Sequence, residues 1–392
     1  MGSLSRLAVI FTRQKSSALN IAMLCISPAW GGLEMNMYRV ARYLTERGHS
    51  VTVITTPGTP LQRYAENAGL TVETLAVKVK YVDLGAAYRL ARILKKKNTS
   101  ALVFSIAKDN YLAGWAKRFF YPALRLFYYQ QMQMGIPKTG PVQTLLYRSL
   151  AAWIAPLHGL ADQVRQMTHM PPERIHVILQ GIDVPVFVRA RAQRAEARRH
   201  FRLADDAFVV GIVGRIDPMK GQEYLIKAVA RAVKAGKPFH ALVVGQAVPE
   251  YAGHLQRLIA ELDVARFVHV HPYTDDPALA YAAMDTFVLA SLQETYGMVT
   301  VEAMAAGLAV VGTRSGGTPE LMGNGRYGVL VPPQDDEALA AALIQLMEAP
   351  AEREALGREA QAYAAQTFPI AAQLEALENV LGGEAAATRP SR

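Results

Sequence analysis

The stretch LNIAMLCISPAWGGLEMNMYRVARYLTERGHSVTVITT, residues 19–56, decides the fold class. Residues 19–27 form a short, nearly unbroken apolar run. That is the pattern of a strand buried on both faces of a parallel sheet, not of one with a wetted face. The turn PAWGG (28–32) follows, then an amphipathic helix from Leu33 to Gly48 and a second apolar run, HSVTVITT (49–56). Strand, helix and strand in this order make a βαβ unit.

The same alternation continues along the chain. ARILKKKN (91–98) ends a helix with cations suited to its negative terminus. ALVFSIA (101–107), LRLFYYQQ (124–131) and RIHVILQGID (174–183) supply further strands. After DVPVFV comes an Arg/Ala-rich stretch, RARAQRAEARRHFRL (189–203), expected to be a linker and a helix. The cycle then restarts with AFVVGIVGRI (207–216), FHALVVGQ (239–246), RFVHVHPY (266–273), TFVLAS (286–291), LAVVGT (308–313) and YGVLVPP (327–333). Two doubly wound, Rossmann-like α/β domains are expected, with both sets of strand carboxyl ends on one cleft, where such sheets bind ligands. The expected boundaries are an N-terminal extension (1–19), a first domain (20–186), a second domain (187–370), and a C-terminal helix and tail (371–392).

Bulk numbers agree. A chain of 392 residues exceeds one ordinary core, and 51% hydrophobic content excludes a disordered chain. The single cysteine, Cys25, excludes an internal disulfide and a cysteine-based metal cluster, and fits a reducing, cytoplasmic setting. No apolar run reaches membrane-spanning length, and the apolar core of the first 19 residues is too short for a secretory signal. Residues 1–190 hold 23 Lys+Arg against 9 Asp+Glu, a charge of +14, while the remainder carries −5. A basic first half suits an anionic partner, and no nucleic-acid motif accompanies the charge. Residues 108–129, KDNYLAGWAKRFFYPALRLFYY, mix aromatic and basic side chains as a peripheral membrane surface would.

Three motifs carry chemistry. In SPAWGGLEMN (27–36), Gly31 and Gly32 at a helix N-terminus let backbone N–H groups approach an anion. The pattern is not G-x-G-x-x-G, and no acidic residue ends the second strand, which argues against a dinucleotide. In VGRIDPMKG (213–221), Gly214 opens a turn bracketed by Arg215 and Lys220, two cations able to neutralise a diphosphate leaving group. In ASLQETYGMVTVEAMAAGLAVVGT (290–313), Glu294 and Glu302 are separated by seven residues. On one helix they would lie about 80° apart, so they would not share a face. With the helix starting near Gly297–Met298, Glu294 lies on the preceding loop and Glu302 about one turn inside. Each then reaches a different part of one ligand. A carboxylate on a ribose diol suits Glu302.

These residues, with QGID (180–183) and QETYGMVTVEAMAAGLAVVGTRSGGTPELM (293–322), resemble the family-4 retaining glycosyltransferases of GT-B fold, from about residue 20 to 375. The resemblance implies a nucleotide-diphosphate sugar donor, UDP- or GDP-linked, and a glycan or lipid-linked acceptor in cell-envelope polysaccharide or glycolipid synthesis. It implies that Arg215 and Lys220 hold the diphosphate and act in catalysis with Glu294, which contacts the transferred sugar. Glu302 would hold the ribose, and backbone groups of Tyr296, Gly297, Met298, Val299 and Tyr273 would add donor contacts, with Gly31, Gly32 and Gly214 completing the set. No cofactor and no metal are implied, since the chain lacks Asp-x-Asp. The C-terminal helix AAQLEALENVLG (371–382) is expected to return to the first domain. Where many members carry a histidine near the transferred sugar, this chain has Gln130 and Gln131. A GT-B-shaped binding protein without transfer activity, and another nucleotide-sugar enzyme such as an epimerase, are the alternatives. A metal site at HVH (269–271) is not expected.

Overall fold

The computed structural model describes residues 18–79, 81–274 and 276–383. The expected N-terminal extension through residue 17, and the tail from 384 onward, lie outside the described residues.

Two sheets organise the chain. The first contains β1 (Asn20–Cys25), β2 (Ser50–Thr55), β3 (Thr71–Thr74), β4 (Ala101–Phe104), β5 (Arg125–Tyr129), β6 (Ala152–Ala155) and β7 (Ile175–Val177), in the order 3-2-1-4-5-6-7. The second contains β8 (Val209–Val213), β9 (His240–Val244), β10 (Val268–His271), β11 (Thr286–Leu289), β12 (Ala309–Thr313) and β13 (Val329–Val331), in the order 10-9-8-11-12-13. The pairings of β1 with β2 and β4, and of β8 with β9 and β11, are parallel. Each sheet therefore winds outward from its first strand in both directions. The order reverses between β1 and β4, and again between β8 and β11, and ligands bind at such switch points.

By compactness the described residues divide into one unit lying within 18–128, 149–152 and 376–383, and another within 129–148 and 153–375. In the first unit, β1 is buried from Ile21 to Cys25. Helix α1 (Gly32–Glu46) follows it, its inner face formed by Met37, Val40, Ala41 and Leu44. Helix α2 (Leu84–Lys96) is capped by Asp83, whose carboxylate accepts the Ala86 N–H at 2.7 Å. Helix α3 (Asp109–Trp115) runs on into a π-helical turn, Ala116–Phe120.

In the second unit, helix α4 (Gln222–Lys234) follows β8 and helix α5 (Pro277–Ala283) precedes β11. Helix α6 (Met298–Ala305) connects β11 to β12 and is apolar almost all round, as a helix inside a core must be. The Arg/Ala-rich stretch is helical rather than a loose linker, over Val184–Ala190 and Arg194–His200. Arg194 and Arg198 fasten it to Asp285, just before β11, at 2.7 and 2.8 Å.

The last helix, α7 (Ile370–Gly382), carries Glu378. Within the first unit Arg47, just past α1, grips this carboxylate with two hydrogen bonds of 2.6 and 2.7 Å, and His49 Nε2 adds a third at 2.9 Å. His49 Nδ1 accepts the Leu19 N–H, so the proton of the neutral ring sits on Nε2 and points at Glu378.

Candidate functional site

Beyond β8 the chain turns at Gly214, where φ is +141°. Arg215 follows, its side chain 65% exposed and ion-paired with the buried Asp217. Asp217 also accepts the Met219 N–H at 2.9 Å, capping a single 3₁₀ turn, Pro218–Lys220. Gly221 then adopts φ +73°, and a Cβ there would lie 2.0 Å from the Ala290 carbonyl oxygen. Only glycine permits both the left-handed conformation and this approach. The turn is thus seated directly on the chain leaving β11, and its last residue, Lys220, reaches Glu294: Nζ lies 2.6 Å from Oε2.

Glu294 sits on the loop before α6, and Glu302 is the fifth residue of that helix. The loop is clamped through its backbone. The Glu294 carbonyl accepts the Gly317 N–H at 2.9 Å and Gln133 Nε2 at 3.3 Å, and the Ser291 carbonyl accepts the Thr313 hydroxyl at 2.6 Å. Gly316, at φ +57°, lets this packing happen, for a Cβ there would lie 1.8 Å from the Glu294 carbonyl oxygen. Ser291 Oγ also donates to Glu294 Oε2, at 3.3 Å. Gly297, at φ +91°, precedes α6 and has no side chain to cap it; a Cβ there would lie 3.1 Å from Glu294 Cγ, so the positive end of the helix dipole lies beside the Lys220–Glu294 pair.

Glu302 accepts the Tyr281 hydroxyl at 2.8 Å. Tyr281 is wholly buried at the end of α5, and burial, then the Glu302 charge, pushes its phenol well above the ordinary range. It remains a donor at any working pH and fixes one carboxylate oxygen. The arrangement therefore offers a cation, a carboxylate and a helix N-terminus for an anion with its attached hydroxyls, plus a second, oriented carboxylate one helical turn on.

Two family models cover most of the chain. The model described as Glycosyltransferase Family 4 matches residues 30–185, and that described as Glycosyl transferases group 1 matches residues 193–363. This chain belongs to the family-4 glycosyltransferases. Gly31 and Gly32, QGID (180–183), the Gly214–Gly221 turn and the Glu294–Glu302 pair fall inside the two matched segments. The D-inositol 3-phosphate glycosyltransferase of Thermomonospora curvata is 33% identical over 220 residues, covering 52% of this chain and 51% of its own. That of Thermobispora bispora is 32% identical over 215 residues, covering 53% and 50%. The chain thus spans about half the length of the curated relatives it matches. Among solved structures, Anabaena Alr3699/HepE in complex with UDP and glucose superposes with a TM-score of 0.80 over 93% of this chain and 99% of that one, at 23% identity. A glycosyltransferase from Rickettsia africae superposes with a TM-score of 0.83 over 94% and 99%, at 18% identity. These two likenesses establish the GT-B fold.

The other residues singled out in this family-4 chain divide by environment. Tyr273 is half exposed just past β10, while the Tyr296 side chain is buried with its hydroxyl on the Gln180 carbonyl at 2.7 Å. Met298 and Val299 open α6. Gln130 is fully buried; its Oε1 accepts Trp153 Nε1 at 3.0 Å and its Nε2 donates to the Met132 carbonyl at 3.0 Å. That is the environment of an internal structural amide. Gln131 Oε1 accepts Gln180 Nε2 at 2.8 Å, whereas its own Nε2 is buried with no partner among the described residues. Gly31 and Gly32 lie in the first unit. The Gly31 N–H is taken by Glu34 Oε2 at 3.0 Å, while a Cβ at Gly32 would meet nothing within 4 Å. The two HVH histidines do not pair with each other: His269 Nε2 lies 2.9 Å from His240 Nδ1, and the His271 ring meets Phe201 edge-on.

Three polar residues escaped the sequence reading. Tyr281 and Gln133 owe their contacts to partners far along the chain, and nothing local marks them. Asp109 had a usable signal, a lone acid after the apolar strand in VFSIAKDN. It is buried in the first unit, and its Oδ2 accepts the Ile26 N–H at 3.0 Å, joining the carboxyl ends of β1 and β4. Burial raises its carboxyl to about 7, against the pull of that hydrogen bond. Burial likewise pushes the neighbouring Cys25 thiol far up, which makes it inert at neutral pH.

Proposed function

We propose that this chain is a retaining glycosyltransferase that moves a sugar from a nucleoside-diphosphate donor to a glycan or lipid-linked acceptor, in cell-envelope polysaccharide or glycolipid synthesis. The observation that carries the reading is the Lys220–Glu294 contact of 2.6 Å beside the uncapped N-terminus of α6. The ammonium and helix dipole suit a diphosphate, and the carboxylate suits hydroxyls of the sugar attached to it. Arg215 extends the cationic lining, and Glu302, oriented by Tyr281, accepts from a ribose diol. Backbone groups of Gly214, Tyr273 and Tyr296–Val299 complete the donor contacts.

In this reading the bond between the anomeric carbon and the diphosphate oxygen breaks as charge builds on that oxygen. Arg215, Lys220 and the α6 N-terminus stabilise the charge without a metal. The acceptor hydroxyl oxygen bonds to the anomeric carbon from the face the diphosphate leaves, so configuration is retained, and its proton passes to the departing phosphate oxygen. UDP is the favoured carrier, supported by the structural neighbour that binds UDP and glucose. The named relatives support a phosphorylated polyol among the acceptors to assay.

Thermal stabilisation by UDP, GDP, ADP and NAD, with Glu302→Ala alongside, tests the donor site. One nucleoside diphosphate should stabilise the wild-type protein. Its affinity for Glu302→Ala should fall on the order of ten- to a hundredfold, the loss of one or two charge-assisted hydrogen bonds. Stabilisation by NAD alone, or by none of the four, would remove the support for this reading. Binding without turnover of the matching nucleotide sugars would leave a protein that holds the donor but does not transfer it.

A further inference from the structure

A cavity of about 270 Å³ opens in the second unit, lined by Arg191, Arg194, Arg353, Asp285 and Glu354. Asp285 leads into β11, and Ala309, which also lines the cavity, opens β12, so it lies at the amino ends of these strands. Lys220 and Glu294 lie past the carboxyl ends of β8 and β11, at the opposite end of the same sheet. The cavity is therefore separate from the proposed donor site. At about 30 Å³ per water it has room for roughly nine waters, enough for a phosphate or pyrophosphate with part of its hydration.

Its cations exceed the charge that neutralises them. Asp285 is fully engaged: Oδ1 accepts Arg194 Nη2 at 2.7 Å, and Oδ2 accepts Arg198 Nη2 and the Val209 N–H, both at 2.8 Å. Glu354 is exposed and pairs with Arg358 at 3.9 Å. Arg191 and Arg353 have no carboxylate partner among the described residues. Each spends an N–H on a carbonyl at a helix end, Arg191 Nη1 on Met284 at 2.6 Å and Arg353 Nη1 on Leu346 at 2.8 Å. Such capping uses one of five N–H groups and leaves the charge uncompensated. Burial, then repulsion from Arg194, pulls the Arg191 guanidinium below its ordinary value against the attraction of Asp285. An adjoining hollow of about 600 Å³ shares Arg194 and Arg353, but Asp205 and Asp206 line it as well. The positive excess is thus concentrated in the smaller cavity.

We propose that this cavity binds an inorganic phosphate or pyrophosphate anion, with Arg191 and Arg353 as its principal ligands and Arg194 beside them. A guanidinium presents paired N–H groups that match two phosphate oxygens and stays charged at any working pH. The two ligands are also held in advance. Their carbonyl bonds fix both stems, and the Arg353 guanidinium lies 5.0 Å from the Phe208 ring centre, so little side-chain freedom is lost on binding. An anion here would relieve the repulsion among the arginines and stabilise the second unit. Nothing in the site depends on glycosyl transfer.

Calorimetric titration of the whole protein with pyrophosphate and with phosphate tests this, at fixed ionic strength with chloride as the control anion. A saturable site is expected, with a dissociation constant below about 1 mM for pyrophosphate, and about 10 mM of it should raise Tm by about 2 °C or more. Arg191→Gln with Arg353→Gln should weaken this site about tenfold or more, through loss of two charge-assisted contacts. Arg191→Lys with Arg353→Lys keeps the charge but not the fork and should weaken it about threefold or more, which provides a reading if the glutamine variant folds poorly. Arg215→Gln with Lys220→Met removes cations at the other end of the sheet and should leave the site in place. Absence of saturable binding to the wild-type protein would overturn the proposal, as would equal affinity in the Arg191 and Arg353 variants. So would loss of all binding in Arg215→Gln with Lys220→Met, since the anion would then occupy the proposed donor site.

Discussion

Replacing Asp109 by Asn should flatten a pH dependence of stability that the wild-type protein must show. The Asp109 carboxyl is buried between the ends of β1 and β4, and burial raises it from 3.8 to about 7. Between those values the folded protein holds a proton that the unfolded chain has released. Stability from this group is therefore complete below about pH 4 and is lost as pH rises through about 7. Each pH unit is worth about 1.4 kcal/mol, so roughly three units correspond to about 4 kcal/mol, an upper figure because local relaxation or water entry would reduce it. Asparagine keeps the side-chain shape and an oxygen for the Ile26 N–H but cannot ionise. Urea unfolding of both proteins at pH 5, 6, 7 and 8 measures the effect. The Asp109→Asn variant should gain on the wild type with every unit up to pH 7, by more than about 2 kcal/mol in all between pH 5 and pH 8. A constant difference across that range would mean that the carboxyl ionises normally in the folded protein, and the burial argument would fail.

Three other substitutions have definite expectations. Lys220→Met leaves the mostly buried Glu294 carboxylate without its cation and removes the donor proposed for the leaving group; turnover of the matching nucleotide sugar should fall by about a hundredfold or more, with thermal stability also reduced. Gly221→Ala forces a Cβ towards the Ala290 carbonyl at φ +73°, so calorimetry should show lower stability, by more than about 1 kcal/mol, together with weaker stabilisation by the nucleotide. Glu378→Gln breaks the bidentate contact with Arg47 and should destabilise the protein by roughly 2–4 kcal/mol at pH 7. Burial works against ionised Glu378, but hydrogen bonds from Arg47 and His49 hold its carboxyl below the ordinary range. Its contribution is thus present above the unfolded-state value and lost as pH falls through the folded one, so the gap between Glu378→Gln and wild type should close in acid.

What could be read from the sequence follows from the range of the forces involved. Strands buried on both faces must be continuous apolar runs, so β1, β8 and β9 lie inside runs visible in one dimension. The start of α6 was legible for a similar reason. Gly297 is the residue before it, and glycine relieves the positive φ that the entry to this helix requires. That one residue separates Glu294 on the loop from Glu302 on the helix. Helical character in the Arg/Ala-rich stretch was only half visible, because composition alone cannot show that Arg194 and Arg198 would find Asp285 some ninety residues on.

The site's polar contacts illustrate the limit best. The sequence presented Lys220 as a cation awaiting a diphosphate, and it presented Glu294 as a carboxylate awaiting a sugar. In the folded chain, 74 residues apart, they hold each other at 2.6 Å. A cation already paired is less attractive to an anion than a free one, but it is also pre-positioned, and its partner keeps a second oxygen for a ligand hydroxyl. An arriving diphosphate would compete with Glu294 for the ammonium, and the sugar attached to it would offer Glu294 hydroxyl donors in exchange. Binding of the nucleoside diphosphate alone should therefore gain less from Lys220 than binding of the whole nucleotide sugar, because only the latter compensates the carboxylate. Calorimetric titration of both ligands into wild type and Lys220→Met measures that difference. A loss larger for the bare diphosphate than for the nucleotide sugar would show that Glu294 does not take part in the exchange.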